Sequence, residues 1–209
     1  MLLDIHTHTI SQYPLQAIHN HMMQDTLPMR CDYYSACLHP WYLTEDNFRQ
    51  QVDWMRYITH TDKVIAIGEA GLDKVCVTPF DLQMRAFKEI IKLSEEIALP
   101  LIIHAVRASV EIIALKKEFA PREAWIIHGF RGKKEFAEEY LRHGFYLSFG
   151  EKYQEDALKS VSSDCLFLET DESETDICEL YARAASLRNI PLEEFIEQVQ
   201  RNIRKVFFK

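Results

Sequence analysis

Apolar residues fall into short continuous runs along this chain, and between most of the runs they return every three or four positions. Eight runs, at 2–6, 15–22, 33–38, 64–68, 101–104, 124–128, 145–148 and 166–169, have the length and setting of buried strands. The pattern of 15–22 is broken by Asn20 and by His19 and His21, which makes it the weakest of the set. Helical spacing is plainest over 80–99, where Phe80, Met84, Phe87, Ile90, Ile91 and Ile97 share a face and Pro100 stops the run. Stretches 109–119, 133–143, 151–161, 174–189 and 192–208 repeat the theme. Strands alternating with helices predict a parallel sheet, and eight of them predict closure. The connections between the first three strands are too short for full helices. The expected fold is therefore α/β, a single TIM-like (β/α)8 barrel over residues 1–209, trimmed of full helices between the first three strands.

Bulk properties narrow the classes. With 209 residues and 47% hydrophobic content, the chain can bury one sizeable core. The net charge of −8 opposes indiscriminate adhesion to polyanions, although it leaves room for a local basic pocket. An acid at position 4 interrupts any basic and apolar leader, and no apolar run approaches the roughly 20 residues that span a bilayer. The expectation is a soluble cytoplasmic protein with no membrane contact and no obligate protein partner. Cys31, Cys37, Cys76, Cys165 and Cys178 lack CxxC spacing and predict buried free thiols rather than disulfides or a zinc-thiolate site.

The candidate chemistry lies at strand ends. In Asp4-Ile5-His6-Thr7-His8, alternation along a strand turns His6 and His8 to one side, where they can share a metal ion. Glu69, His104, His128 and Asp171 each stand at or just after the carboxyl end of a later run. Either of the two later histidines alone reads more readily as a hydrogen-bonded core residue than as a ligand. In a parallel barrel, however, all these ends share one face, so residues distant in sequence converge. Glu169 shares a side with Asp171, which leaves one of the two acids to orient a ligand rather than to bind. Four histidines and two carboxylates suit two divalent ions, zinc, manganese or magnesium, better than a soft thiolate site. Such a pair activates water for displacement, most commonly at phosphorus.

Cations fall on the same rim: Lys74 past Glu69, Arg107 past His104, Arg131 past His128, and Lys152 past the seventh run. Together they predict a mouth that receives phosphates. His39 also ends a strand and is a candidate substrate contact, while His19, His21, His60 and His143 read as structural or surface residues. Trp41, Tyr42, Phe130 and Tyr153 occupy neighbouring loops and are candidates for stacking on bases.

The order of motifs resembles a known family. Asp4-Ile5-His6-Thr7-His8, His39-Pro40-Trp41, Gly68-Glu69-Ala70-Gly71-Leu72-Asp73, Gln83 with Phe87, Ile102-Ile103-His104, Ile127-His128-Gly129-Phe130, Leu147-Ser148-Phe149-Gly150 and Glu169-Thr170-Asp171 together look like the TatD family of metal-dependent deoxyribonucleases, in the amidohydrolase-like superfamily. The resemblance implies His6, His8, Glu69 and Asp171 around one metal. It implies that Glu69 bridges to a second metal held by His104 and His128, and that Asp171 assists the attacking water. Implied activity is 3′–5′ exonuclease or endonuclease action on DNA, or on another phosphodiester, aided by magnesium, manganese or zinc. The chain departs from the family where Glu172-Ser173-Glu174 replaces the usual Ser/Ala-Pro-Tyr and where Lys74 follows the Gly-Leu-Asp motif. Rival expectations on the same scaffold are a PHP-like phosphoesterase and an aminoacyl-tRNA deacylase; from another class, a non-catalytic metal or nucleic-acid binding module.

Overall fold

The computed structural model describes residues 3–10, 16–25 and 31–208. Its eight strands are β1 (Asp4–Thr7), β2 (Ala17–Met22), β3 (Tyr33–Leu38), β4 (Val64–Asp73), β5 (Leu101–Val106), β6 (Trp125–Ile127), β7 (Tyr146–Phe149) and β8 (Leu166–Leu168). They pair in sequence order, every pair parallel. Closure comes from a parallel bridge between Thr7 and Asp171, with the N–H of His8 donating to the Asp171 carbonyl at 3.0 Å and that of Asp171 donating to the His6 carbonyl at 2.9 Å. Leu2 and Leu15, the first residues of two expected strands, lie outside the described residues.

Seven α-helices follow among the described residues: α1 (Phe48–Ile58), α2 (Phe80–Ile97), α3 (Ser109–Phe119), α4 (Lys134–Arg142), α5 (Glu155–Ser160), α6 (Ile177–Leu187) and α7 (Leu192–Phe207). Among the described residues of the β1–β2 and β2–β3 connections there is no helix, and the first described α-helix is α1, after β3. The sequence reading did not predict α1, although Phe48, Val52 and Met55 recur at helical spacing and face the core, with Ile58 closing the buried side. Helix α6 starts later than expected because Asp176 caps it, accepting the N–H of Cys178 at 2.7 Å. Helix α2 ends with Ala98 in a left-handed conformation, just before Pro100. No described helix is long and apolar enough to cross a membrane.

Strand β4 runs to Asp73, well past the expected end at Gly68, because glycine lets it press against β5. Gly68 has φ +140° and Gly71 φ +155°, and a Cβ on either would strike the carbonyl oxygen of Ile102 or His104 respectively. The long strand carries Glu69 within the sheet rather than in the following loop. The core between sheet and helices is apolar and aromatic. Fully buried Trp125 on β6 meets Phe87 of α2 and Phe145, with ring centroids 5.9 Å away in both cases. On the trimmed side, Phe208, just past α7, packs edge-on against Tyr33 of β3 at 5.2 Å. All five cysteines are free thiols; Cys31 and Cys37 are buried, but Cys178 is exposed in the first turn of α6, contrary to the expectation for it.

Candidate metal centre

At the carboxyl end of the barrel the buried Glu69 carboxylate is surrounded by histidines. Its backbone is held from two strands: Asn20 Oδ1 of β2 accepts the Glu69 N–H at 3.0 Å, and the Cys37 thiol of β3 donates to the Glu69 carbonyl at 3.1 Å. Oε2 lies 3.5 Å from His6 Nε2 and 3.5 Å from His8 Nε2. Oε1 lies 2.6 Å from His104 Nδ1, 2.7 Å from His128 Nε2 and 3.1 Å from His39 Nε2. Asp171 Oδ1 completes the first set, 3.7 Å from His6 Nε2 and 3.6 Å from His8 Nε2.

His6, His8, Glu69 and Asp171 fit a divalent cation, while Glu69 Oε1 meets His104 and His128 at hydrogen-bond distance. Both ring nitrogens of His6 are buried and have no hydrogen-bond partner, an arrangement that is costly unless something else satisfies them. His6, His8, Glu69 and Asp171 approach one another at 3.5–3.7 Å, too far for hydrogen bonds. Donor atoms about 2.0–2.2 Å from a tetrahedral zinc would stand about 3.4 Å apart, close to that spacing. His6, Glu69 and His128 form one group able to hold an ion, and His6, His8 and Asp171 another. The donors are imidazole and carboxylate, which suits zinc or manganese.

Electrostatics follow from this crowding. Burial pushes the Glu69 carboxyl upward, but His128, His104 and His39 outweigh it and hold the group well below its ordinary value. Burial likewise disfavours charge on His128, and Glu69 and Glu169 overcome it, raising that imidazole well above its ordinary value. His8 is raised by Glu69 and Asp171 against the same opposition from burial. Asp171 is raised by its own burial and by the neighbouring Glu169 charge.

Two further acids set the histidine rings. His104 Nε2 donates to Asp73 Oδ2 at 3.1 Å, leaving Nδ1 facing Glu69. His128 points the other way, with Nδ1 at 3.2 Å from Glu169 Oε1 and Nε2 facing Glu69. Carboxylates behind metal-binding histidines fix the ring and raise its basicity. Of the two acids that alternation sets on one side, Glu169 is the one that meets His128 Nδ1. The sequence reading gave Asp73 no site role, although its period-two spacing from Glu69 along β4 was a usable signal.

The rim residues separate. A cavity of about 680 Å³ is bounded by His39, Trp41, Tyr42, Arg107, Arg131 and Phe136 above the histidines. A neighbouring polar cavity of about 630 Å³ is bounded by Arg131, Lys152, Glu151, Glu172 and Glu174. Lys74 bounds neither; its ammonium is 2.5 Å from Glu111 and packs over the Phe80 ring. Phe130 is buried against Phe149 and Tyr140 while also bordering the larger cavity, and Tyr153, which bounds neither cavity, packs edge-on against Phe149. Phe136, exposed at the cavity wall, was not anticipated. His21 packs against Tyr34 and Trp54.

The family profile described as TatD related DNase matches residues 29–208. The chain belongs to this family. Among its relatives, it is 36% identical over 135 residues to the uncharacterized metal-dependent hydrolase YabD of Bacillus subtilis, covering 60% of this chain and 53% of that protein. It is 30% identical over 196 residues to an uncharacterized metal-dependent hydrolase of Buchnera aphidicola, covering 83% of this chain and 73% of the relative. A Cronobacter sakazakii protein named 3′-5′ ssDNA/RNA exonuclease TatD is 30% identical over 158 residues, 69% of this chain and 60% of that one. The matches thus span from about half to three-quarters of these relatives' lengths. The crystal structure of YjjV, a TatD homologue from Escherichia coli, superposes with a TM-score of 0.80 over 99% of this chain and 97% of that one at 20% identity, which shows the shared barrel.

Proposed function

We propose that this TatD-family chain is a divalent-metal-dependent hydrolase of phosphodiester bonds, acting on DNA or RNA ends or strands. The observation that carries this is the division of Glu69: Oε2 faces His6 and His8 while Oε1 faces His104 and His128, as a carboxylate shared by two ions requires. His6, His8, Glu69 and Asp171 would hold one ion, and Glu69, His104 and His128 the other. Bound there, zinc, manganese or magnesium supplies Lewis acidity that lowers the pKa of water and neutralises charge developing on phosphoryl oxygens.

The chain's own groups do the rest. Asp171, at the wall of both cavities with its carboxyl raised, is placed to accept the proton of the attacking water. Arg107 and Arg131 grip phosphates flanking the scissile bond, and Lys152 extends the grip into the polar cavity. His39 Nδ1 accepts the N–H of Trp41 at 3.1 Å, which leaves Nε2 as the donor that steadies Glu69. Trp41 and Tyr42 offer exposed rings for bases.

The test incubates metal-reconstituted protein with end-labelled single-stranded DNA, duplex DNA, RNA, a generic phosphodiester and an aminoacyl ester. Metal-dependent shortening of nucleic acid that EDTA abolishes is the expected result. Cleavage of the aminoacyl ester alone, or binding of oligonucleotide without cleavage under every divalent ion, overturns it.

A further inference from the structure

Trp41 sits in the single-turn 3-10 helix Pro40–Tyr42 after β3, with 53% of its surface exposed, yet its indole N–H is turned inward. It donates to Asp73 Oδ2 at 2.7 Å, and the same oxygen accepts from His104 Nε2 at 3.1 Å. On the other side of that imidazole, Nδ1 lies 2.6 Å from Glu69 Oε1. The Trp41 backbone N–H donates to His39 Nδ1 at 3.1 Å, and His39 Nε2 reaches Glu69 Oε1 at 3.1 Å. Two hydrogen-bond arms therefore run from one residue at the cavity rim to one oxygen of the central carboxylate.

The indole does not need this partner for its own sake. An N–H on so exposed a ring can be satisfied by water, whereas Asp73 is 3% exposed and relies on protein donors, the indole reaching Oδ2 in addition to His104. Asp73 is otherwise pinned: Oδ1 accepts the N–H groups of Val75 and Cys76 at 2.7 and 3.2 Å, and its own N–H donates to Gln83 Oε1 at 2.7 Å. The position of Oδ2, and with it the tilt of the His104 ring, is fixed between Trp41 on one side and this clamp on the other.

We propose that Trp41 is a positioning residue for the metal ligand His104, acting through the shared oxygen of Asp73. This rests on the metal centre proposed above. It is tested by titrating zinc and manganese into metal-free wild type, Trp41→Phe, Asp73→Asn and the double variant by calorimetry, with thermal unfolding of each metal-free protein recorded alongside. Phe keeps an aromatic ring and removes the donor. Trp41→Phe is expected to weaken one metal-binding step about tenfold, within the range for loss of a partner behind a ligand, and to leave any other step and the metal-free unfolding temperature unchanged. Asp73→Asn should weaken the same step, and the double variant should be no weaker than the poorer single variant, because both act on one relay. Unchanged affinities in Trp41→Phe while the wild type binds metal overturn the relay alone, as does equal weakening of every step with a fall in unfolding temperature. Absence of metal binding by the wild type overturns the metal centre itself.

Discussion

The backbone N–H of Asp171 donates to the carbonyl of His6 at 2.9 Å, so the contact that closes the barrel also brings two candidate metal ligands from opposite ends of the chain together. Asp171 sits there with φ +55°, a left-handed conformation uncommon for a residue with a side chain, and strain of this kind persists where surrounding structure over-determines it. Part of that structure is Asp4, which accepts the Thr170 N–H at 3.0 Å and its hydroxyl at 2.6 Å and so ties β1 to the end of β8.

Thr170→Val removes the hydroxyl while keeping the shape, leaving the buried Asp4 Oδ2 without the hydroxyl donor it accepts at 2.6 Å. The expected cost is about 1–3 kcal/mol of unfolding free energy. Urea unfolding of the metal-free protein measures it, and a variant as stable as wild type would deny Asp4 and Thr170 their part in closure.

Glu69→Gln should lower turnover by at least about a thousandfold, equivalent to roughly 4 kcal/mol of barrel-mouth chemistry, because the amide cannot supply two anionic oxygens. Metal content by mass spectrometry should fall in the same variant. Full metal loading with undiminished hydrolysis would show that the carboxylate is not shared.

Metal affinity should rise as pH increases from about 6 to 8. In the metal-free site His128 and His8 hold protons above their ordinary range, and a cation must displace them, so binding is weakest where they are charged and strengthens as they lose the proton. Calorimetry in two buffers of different ionisation enthalpy should report proton release on binding. Affinity independent of pH would contradict it.

Arg107→Ala and Arg131→Ala should each raise KM on an oligonucleotide about tenfold with kcat little changed, and flatten the slope of log affinity against log salt by about 0.7, the contribution of one phosphate contact on a single strand. Lys74→Ala should leave KM unchanged, since Glu111 already neutralises that ammonium away from the cavities. Equal effects from all three would mean that the charge of the rim, rather than its placement, governs binding.

Gly71→Ala should destabilise the fold and lower metal binding together. The added Cβ meets the carbonyl oxygen of His104, a backbone atom that moves only if β4 and β5 separate, so the ligand beside it moves too. Circular dichroism melting with metal titration would check both; a soluble variant of unchanged stability and affinity would show that the strands have slack.

Eight apolar runs and their terminal histidines and acids were enough to predict a barrel and a convergent set of donors, because each strand's pattern is local and a parallel barrel gathers all strand ends on one face. Helix α1 escaped although its apolar stripe, Phe48, Val52 and Met55, has helical spacing, because charged and polar residues dilute it. Tertiary structure alone decided which atom faces which: that His104 presents Nδ1 and His128 Nε2, that Asp73 and Glu169 stand behind them, and that Lys74 turns to Glu111. The physical reason is that strand periodicity fixes the face on which a side chain emerges, whereas its partner depends on distances between residues tens of positions apart, which the folded packing alone sets.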